Sequence, residues 1–593
     1  MKQKNIIVGI DFGSSLTGYT YSFKGKNNDE IYYGKFEGTG ANYKTLNQVI
    51  INDSNEVVKY GHEAKEYLEK GNLKKNEHFY ERIKMNLYSE KYTIKSINSQ
   101  KEIKIVDLIY IILDYIKKKA IESIISSSRG FEDEYKYNEE NENIRWVLTI
   151  PAIWKDKNKN IMMEAATKAG LVSDNQKNLF FALEPEAASY HCEKEMPIDN
   201  DIFLHPYIIC DLGGGTGDIV CHERKIQDGE KIIIEKYEPK GGPFGSDEIN
   251  KNFENQVLKS IFGNDLFEKL NQKFKESLEK GQKNFSKKYI TLKQEINHFK
   301  ESIDEKNYME ESFPIDCSIL YNVCGQINIE EAIKKYNENC KNGWDIKEFG
   351  EDEDDKTISF PYKIIYDLTR EIAEEISKII IEIITQVNDV SAVFYVGGFC
   401  NSNFIVNSIR KFIENKYPDI KHLRPPHPGN SVLRGAVLYG LDPERIKSRK
   451  AKYSLGMSAY LDWESKYENG GEKYYDSEFG KYVCKNAFYN FISKNEDIPN
   501  DKCIKKPLRL RNYGNGVYGG ELIIYKSTKE KTLFIDEDCV EEIGRFQLKI
   551  DNEENYEGND RIFYVKLELG GTFLNATAIH EKSNTKKSMD FKY

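Results

Sequence analysis

Short apolar runs alternate with segments of helical spacing in the first part of the chain. Trp146–Ile150 and Leu179–Leu183 predict strands, and the segments after them, Asn160–Ala169 and Glu186–Glu193, predict helices. Strands that alternate with helices are typical of the mixed α/β class. We therefore expect an α/β fold in this part of the chain.

The middle of the chain has Lys, Glu, Asn and Phe at helical spacing over residues 250–345. This pattern predicts a mainly helical insertion. Beyond it, Tyr362–Thr385 predicts a long helix, Val390–Val396 a strand and Asn403–Asn415 a further helix. The α/β pattern therefore resumes after the insertion.

The helical period disappears after Lys447. Short alternating runs such as Glu521–Tyr525 and Arg545–Ile550 are separated by Gly, Asn and Asp, which predicts strands joined by turns. Residues 453–593 are therefore expected to form an all-β module. The segment before it, Arg445–Lys452, is rich in Lys and Arg and is expected to be a connector.

Charge and composition narrow the class of partner. The net charge is −10 at pH 7, so there is no excess of Lys and Arg to neutralise phosphates, which argues against nucleic acid as the main partner. The apolar segment Ile372–Val387 carries polar residues at regular intervals and predicts an amphipathic helix, not a membrane span. No apolar leader precedes the first predicted strand, so we expect a cytoplasmic protein without a membrane partner, with the nucleus as an alternative.

Two stretches far apart in the chain have nearly the same sequence. Ile6–Ser15 and Tyr207–Asp218 each contain an apolar run that ends in Asp-x-Gly, followed by small and hydroxyl residues. Glycine allows a tight turn that brings backbone N–H groups to phosphate oxygens, and a carboxylate at a strand end can hold hydrated Mg²⁺. The pair therefore predicts two half-sites for one nucleotide, contributed by two related lobes. No G-x-x-x-x-G-K-[ST] sequence is present, which excludes an ordinary P-loop.

Seven segments of the chain carry short motifs in a fixed order: Gly9–Ser15, Thr149–Ala152 with Ala169–Leu171, Glu184–Ala188, Asp211–Asp218, Gly241–Ser246, Val396–Gly398 and Arg434–Gly440. Together they resemble the heat-shock protein 70 branch of the actin/sugar-kinase ATPase superfamily. The similarity is greatest to a divergent subgroup without a helical lid, the heat shock 70 kDa protein 12-like proteins. The resemblance implies two ribonuclease-H-like lobes, about 1–203 and 204–447, around a nucleotide cleft, followed by a substrate-binding-like β-sandwich over 453–593.

The resemblance also implies roles for individual residues. Asp11 and Asp211 would hold Mg²⁺ through its waters, while Glu184 would orient the attacking water, with Asp218 as a second candidate. A cationic side chain is expected in Phe79–Leu87, where Lys84 is the first choice and Arg82 the alternative. The remaining cofactor-binding residues would contact the ATP or ADP phosphates and adenosine: Gly13, Ser14, Ser15, Gly213, Gly214, Gly215, Thr216, Gly241, Gly242, Gly397 and Gly398.

The chain departs from the family pattern in the adenosine region and after it. Asn401 occupies the position of the usual adenine-stacking Arg, and His427–Asn430 replaces a segment that usually carries an acid, which leaves GTP or slow turnover open. The connector lacks the family's acidic-aliphatic sequence, and the chain ends where the family's lid begins. A bound peptide or client would then not be trapped under a lid.

Three functions follow as alternatives. The leading prediction is an ATP-binding, Mg²⁺-dependent, weakly hydrolysing chaperone-like protein that binds extended peptides or a client through the β-sandwich by strand addition. The second is a non-hydrolysing nucleotide-gated switch that binds a protein, and the third a small-molecule kinase. The β module could instead only pack against the ATPase lobes.

Overall fold

The structure is a computed structural model, and it describes most of the chain. The described residues are 6–24, 30–39, 43–99, 101–127, 144–172, 178–196, 200–303, 308, 311–325, 328–340, 342–350, 356–477, 480–499, 503–509, 511–512, 517–551, 562–568, 575–580 and 585–590. The predicted mixed α/β class is confirmed, and the several sheets fit an actin-like ATPase fold.

The N-terminal part is built around one central sheet with helices beside it. Its elements are β1 (Ile6–Phe12), β2 (Leu16–Phe23), β3 (Tyr32–Tyr33), β4 (Lys44–Leu46), β5 (Gln48–Asn52), β6 (Val57–Tyr60), α1 (His62–Glu69), β7 (Glu77–Glu81), α2 (Ile83–Tyr88), β8 (Thr93–Lys95), β9 (Glu102–Lys104), α3 (Ile105–Ser127), β10 (Ile144–Ile150), α4 (Asp156–Lys168), β11 (Leu179–Leu183) and α5 (Glu184–Glu195). The first sheet has the order β11-β10-β1-β2-β3, with β4 paired to β2. Smaller sheets β6-β5-β7 and β8-β9 lie outside it.

The next part has a second central sheet and most of the helices. Its elements are β12 (Tyr207–Leu212), β13 (Gly217–Gln227), β14 (Glu230–Gly242), α6 (Asp247–Phe253), a π-helical segment (Glu254–Leu258), α7 (Lys259–Phe262), α8 (Leu266–Glu279), α9 (Lys283–Glu301), β15 (Ser312–Asp316), α10 (Ser318–Cys324), α11 (Ile329–Asn339), β16 (Glu348–Phe349), β17 (Thr357–Pro361), α12 (Tyr362–Gln386), β18 (Ala392–Val396), α13 (Asn403–Glu414), β19 (Lys421–Leu423), α14 (Ser431–Leu441) and β20 (Ile446–Lys450). A small sheet β15-β17-β16 packs with these helices. No helix in the described part of the chain combines the length and apolar character needed to cross a bilayer.

The C-terminal part consists of strands. They are β21 (Ser454–Asp462), β22 (Lys473–Asp476), β23 (Lys481–Ile492), β24 (Asp497–Pro499), β25 (Cys503–Arg509), β26 (Arg511–Asn512), β27 (Val517–Ser527), β28 (Val540–Asp551), β29 (Ile562–Glu568), β30 (Asn575–His580) and β31 (Thr585–Asp590). One sheet has the order β22-β23-β21-β27-β26, with β28 on β27, and the other has the order β25-β29-β30-β31. A single buried cluster includes Met457 and Ile524 from the first of these sheets and Val565 and Ala578 from the other.

The two central sheets repeat one strand arrangement. In the first sheet β1 pairs antiparallel with β2 and parallel with β10, and in the second sheet β12 pairs antiparallel with β13 and parallel with β18. Asp11 lies opposite Gly18 on β2, and Asp211 lies opposite Asp218 on β13. The duplicated sequence therefore corresponds to a duplicated hairpin, with an aspartate at the same place in each.

Helix α14 packs closely against the first sheet and against α5. A Cβ atom added at Gly435 would lie 1.8 Å from the carbonyl oxygen of Ala187 on α5, and one added at Gly9 on β1 would lie 2.8 Å from Ala436 Cβ. Glycine at these two contacts allows the backbones to approach. The helix thereby fixes the start of α5, where Glu184 lies.

The connector differs from the expected link between domains. Ile446–Lys450 forms strand β20, which pairs parallel with β14 of the second sheet and antiparallel with β24 of the C-terminal part. The second sheet therefore has the order β19-β18-β12-β13-β14-β20-β24. The basic composition of this segment gave no indication that it would be a strand.

Candidate functional site

A cavity of about 1040 Å³ opens between the two central sheets. It is bounded by the loops of the duplicated hairpins, by the start of α5, and by side chains from α2 and α9. Most of the residues that the sequence indicated line this cavity: Asp11, Gly13, Ser14, Ser15, Lys84, Glu184, Asp211, Gly213, Gly214, Gly215, Thr216, Asp218, Gly397 and Gly398. The fold therefore brings together positions that are far apart in the sequence.

Gly241 and Gly242 are not among the residues that line the cavity. They lie on β14, opposite Asp218 and Gly217 on β13. A Cβ atom added at Gly241 would lie 2.3 Å from the carbonyl oxygen of Gly217. The close approach of two strands behind the second loop accounts for a glycine here without any ligand contact.

The two hairpin loops face each other across the cavity. A Cβ atom added at Gly214 would lie 2.0 Å from Ser15 Oγ, and one added at Gly215 would lie 3.0 Å from Ser14 Cβ. Ser15 Oγ also donates a hydrogen bond to Asp247 Oδ2 at 3.4 Å, and Asp247 begins α6. The two loops therefore contact each other while both line the cavity, so a phosphate chain bound in the cavity would have donors from both loops.

Asn47 fixes the first loop, although the sequence gave no indication of it. Its side-chain amide donates to the carbonyl oxygen of Gly13 at 2.6 Å, and its backbone N–H donates to the carbonyl oxygen of Ser15 at 2.8 Å. Both bonds use carbonyl oxygens of the loop, so they do not occupy its backbone N–H groups. Asn47 therefore positions the loop without lining the cavity.

Four buried carboxyl groups line the cavity: Asp11, Glu184, Asp211 and Asp218. Burial raises the pKa of Asp211 well above its usual value, and the negative charge of Glu184 raises it further. Burial, with the same neighbour, raises the pKa of Asp218 to about 7. Crowded carboxylates in a low-dielectric site repel one another, so this group favours a bound cation.

The chemistry of these donors fits Mg²⁺, which prefers carboxylate, water and phosphate oxygens. In the described ranges, no three His, Cys, Asp or Glu side chains lie close enough to hold a metal directly. Carboxylates that act through intervening water fit both observations. Asp11 and Asp211 each lie one residue before the end of the first strand of a duplicated hairpin.

Lys84 on α2 lies in the cavity, with its side chain only 4% exposed. Its ammonium group donates a hydrogen bond to Glu184 Oε1 and lies 5.5 Å from the centroid of the Trp154 ring. Arg82 does not line the cavity. Of the two candidates for the cationic side chain, the fold therefore brings Lys84 to the other predicted residues.

Glu184 is held at a strand-to-helix junction. Strand β11 ends at Leu183 and α5 begins at Glu184, with Pro185 in its first turn, where a missing N–H costs nothing. Glu186 accepts a hydrogen bond from the backbone N–H of Leu183 at 3.4 Å. Burial raises the pKa of Glu184, and the charge of Lys84 opposes that rise.

The Gly397–Gly398 turn forms another wall of the cavity. Gly397 has φ of 89°, and a Cβ atom added there would lie 2.5 Å from Asp211 Oδ1. A Cβ atom added at Gly398 would meet nothing within 4 Å, so this backbone faces open space. Asn401 lines the same wall.

Side chains from α9 also line the cavity, and the sequence did not indicate them. Asn297, Lys300 and Glu301 line the cavity. Lys300 Nζ donates to Asn297 Oδ1 at 3.2 Å and to the carbonyl oxygen of Ser246 at 3.3 Å, and burial lowers its pKa. The sequence predicts a helix here, but helical spacing alone does not show which polar side chains face a cavity.

Lys44 is a further residue that the sequence analysis missed. Its ammonium group lies 2.6 Å from Asp11 Oδ2 and 2.6 Å from the carbonyl oxygen of Gly429. Thr149 Oγ1 donates to the second oxygen of Asp11 at 3.3 Å. Asp11 therefore has a cationic partner already within the protein.

Comparison with known proteins gives one consistent result. The chain is 24% identical to heat shock 70 kDa protein 12A of Homo sapiens over 658 residues, which span 99% of this chain and 91% of that protein. It is 23% identical to heat shock 70 kDa protein 12B of Homo sapiens over 665 residues, which again span 99% of this chain and 91% of that protein. No family model matches the chain. The resemblance to heat-shock protein 70, and within it to the protein 12 branch, is therefore confirmed.

Proposed function

We propose that the protein binds ATP with Mg²⁺ in this cavity, hydrolyses it slowly and acts as a chaperone-like protein of the heat-shock protein 70 type. The observation that carries the proposal is the meeting of two hairpin loops with the Lys84–Glu184 pair in one cavity. The similarity to heat shock 70 kDa proteins 12A and 12B supports nucleotide binding by a protein of this type.

The two central sheets would be the two lobes of the cleft. The loop of β1 and β2, with Gly13 and Ser15, would donate to the phosphates from one lobe, and the loop of β12 and β13 would donate from the other. The Gly397–Gly398 turn would lie along the adenosine. Mg²⁺, when bound, would neutralise phosphate charge next to Asp11 and Asp211.

Glu184 would orient the water that attacks the terminal phosphate. Its ammonium partner Lys84 holds the carboxylate in place and adds positive charge beside the phosphates. Phosphoryl transfer depends mainly on positioning and charge neutralisation, so a few fixed groups of this kind can support it. Asp218 is the alternative acceptor of the water proton, since burial raises its pKa to about 7.

Binding and hydrolysis are tested on the purified protein by ATP titration and by phosphate release in single turnover. Asp211→Ala is expected to weaken ATP binding by about tenfold or more, because a group next to the cation is lost. Glu184→Gln is expected to bind ATP and to release phosphate about 100-fold more slowly. The control is Glu268→Gln, an exposed carboxylate on α8.

The outcomes separate the parts of the proposal. A wild-type protein that binds neither ATP nor GTP would contradict it altogether. Tight ATP binding without phosphate release would contradict hydrolysis and leave the nucleotide-gated binding switch. That second function is favoured by the pairing of Asp11 with Lys44, which leaves one of the two strand-end carboxylates already neutralised.

The C-terminal sheets are proposed to form the sandwich that binds an extended peptide or a protein client. Strand β22 ends its sheet within the described residues, and tyrosines 474, 475 and 482 on β22 and β23 are exposed. An edge strand beside exposed rings suits strand addition by an extended peptide. Fluorescence anisotropy with extended apolar peptides tests this. We expect weaker binding in Tyr475→Ser than in Ile226→Ser, an exposed control on β13, and equal binding would contradict this surface.

A further inference from the structure

Three neighbouring strands align Lys44 with Asp11. Asp11 on β1 lies opposite Gly18 on β2, and Gly18 lies opposite Lys44 on β4. The side chain of Lys44 crosses over Gly18, since a Cβ atom added at Gly18 would lie 2.9 Å from Lys44 Cγ. The glycine leaves open the path along which the lysine reaches the carboxylate.

The ammonium group of Lys44 is held at a defined point of the cavity wall. Its Nζ lies 2.6 Å from both Asp11 Oδ2 and the carbonyl oxygen of Gly429, and its side chain is 14% exposed. An ammonium group has three N–H donors, and these two contacts use two of them. The third can reach an oxygen of a ligand in the cavity that Lys44 lines.

The aspartates of the second hairpin, Asp211 and Asp218, differ from Asp11 in their partners. In the part of the chain that the structure describes, neither Asp211 nor Asp218 forms an ion pair, although both are buried. Asp218 accepts a hydrogen bond from the backbone N–H of Ile153 at 3.1 Å. Lys44 therefore pairs directly with Asp11, whereas Asp211 feels its positive charge only from a longer distance.

We infer that Lys44 is a built-in counter-cation for the nucleotide phosphates on the Asp11 side, which makes nucleotide binding less dependent on Mg²⁺. The inference rests on the proposed function and assigns a positioning and specificity role within it. Lys44 would contribute charge whether or not a metal ion is present, and Asp211 would remain the carboxylate that favours the hydrated cation.

Loss of Lys44 should make nucleotide binding more dependent on Mg²⁺, through two electrostatic effects that act in the same direction. Without its charge, a nucleotide that arrives without Mg²⁺ meets the four buried carboxyl groups and one fewer cation, so it binds more weakly. Mg²⁺ itself no longer meets a like charge at Asp11, so the Mg²⁺-nucleotide complex keeps or gains affinity. Both effects increase the ratio of the nucleotide Kd in EDTA to the Kd in Mg²⁺.

The test measures this ratio for ADP and for a non-hydrolysable ATP analogue, by calorimetry in excess EDTA and in excess Mg²⁺. Lys44→Met is expected to increase the ratio by about tenfold or more over wild type, since a unit charge within a few Å at a protein surface changes binding by that order. Lys44→Arg keeps the charge and is expected to stay within about threefold of wild type. The control is Lys59→Met, a half-exposed lysine on β6 paired with Glu63.

A ratio that is unchanged in Lys44→Met, or that rises equally in Lys44→Arg, would overturn the inference. A second readout needs no nucleotide. Mg²⁺ alone is expected to raise the Tm of Lys44→Met more than that of wild type, because Asp11 is then free to favour the ion, and equal shifts would overturn the inference. Absence of ADP and ATP binding in every buffer would instead remove the proposed function, and the role of Lys44 toward phosphates with it.

Discussion

Arg449 on β20 donates two hydrogen bonds to Glu186 on α5, from Nε to Oε1 at 2.6 Å and from Nη2 to Oε2 at 3.0 Å. Glu186 is 1% exposed and lies two residues after Glu184 on the same helix turn. The strand that connects the two parts of the chain is therefore joined by charged hydrogen bonds to the helix that carries Glu184. Arg449 lies in the segment Arg445–Lys452, which the sequence analysis described only as a basic connector.

Arg449→Met is expected to lower the free energy of unfolding by about 3–5 kcal/mol, because it leaves a buried carboxylate without its partner. Adding Glu186→Gln removes the unpaired charge and should recover part of the loss. The exposed pair of Arg545 and Glu542 supplies the control, and Arg545→Met should cost far less than Arg449→Met because solvent screens the pair. Urea unfolding measures all three, and equal losses for Arg449→Met and Arg545→Met would contradict the buried pair.

Lys84→Met removes the partner of Glu184 within the cavity. Phosphate release in single turnover is expected to fall by about 100-fold or more, since the carboxylate loses both its orientation and its stabilising charge. Lys95→Met is a matched control on β8, where the lysine pairs with Glu102 at the surface. If ATP binds to Lys84→Met but phosphate release stays at the wild-type rate, Lys84 has no part in hydrolysis.

The stability of the ligand-free protein should depend on pH through Asp218. Burial raises the pKa of this carboxyl to about 7, so in the folded protein it holds a proton that the unfolded chain releases at about pH 4. The folded state binds more protons between these values, and stability therefore falls as pH rises from about 4 to 7, by at most about 1.4 kcal/mol per pH unit.

Asp218→Asn should remove that loss, so its gain in stability over wild type is expected to be larger at pH 7.5 than at pH 5. The asparagine oxygen can still accept the hydrogen bond from Ile153. Asp419→Asn, at an exposed position, should show the same small difference from wild type at both pH values. Thermal unfolding across this pH range measures the effect, and a gain that is constant with pH would contradict it.

Gly397→Ala is expected to weaken nucleotide binding by about tenfold or more, beyond any effect on stability. The added methyl would lie 2.5 Å from Asp211 Oδ1 and so displace that carboxylate, and it would also strain a residue with φ of 89°. Gly229→Ala has a similar φ of 82° and open space around the methyl, so it reports the backbone strain alone. Calorimetry with Mg²⁺ and ADP compares them, and similar affinities would show that Asp211 tolerates the methyl.

Periodicity predicted many elements of the fold from the sequence. The predicted helix Tyr362–Thr385 is α12, which ends one residue later, at Gln386. The predicted strand Leu179–Leu183 has the same bounds in the structure. Elements of this kind follow from local apolar spacing, which a single sequence contains. Strand β20 could not be predicted in the same way, because its sequence is mostly polar and its partners β14 and β24 are distant in the chain.

The candidate site likewise contains residues that a motif predicted and residues that only the fold brings to the cavity. Positions inside a motif, such as Asp11 and Asp211, line the cavity as the duplicated sequence predicted. Lys44 belongs to no motif and reaches the cavity only through the register of three strands, so nothing near it in the sequence indicates its role. The polar side chains of α9 reach the cavity only through the packing of that helix against α1, α6 and β15.

The pairing of β20 with both β14 and β24 has a consequence for dividing the chain. A fragment that ended at Lys447 would lose most of β20, and β14 would then have unpaired N–H and C=O groups along one side. A bare strand of this kind recruits strands from other molecules. The fragment on its own is thus expected to self-associate, because the sequence past Lys447 covers the edge that the fragment leaves bare.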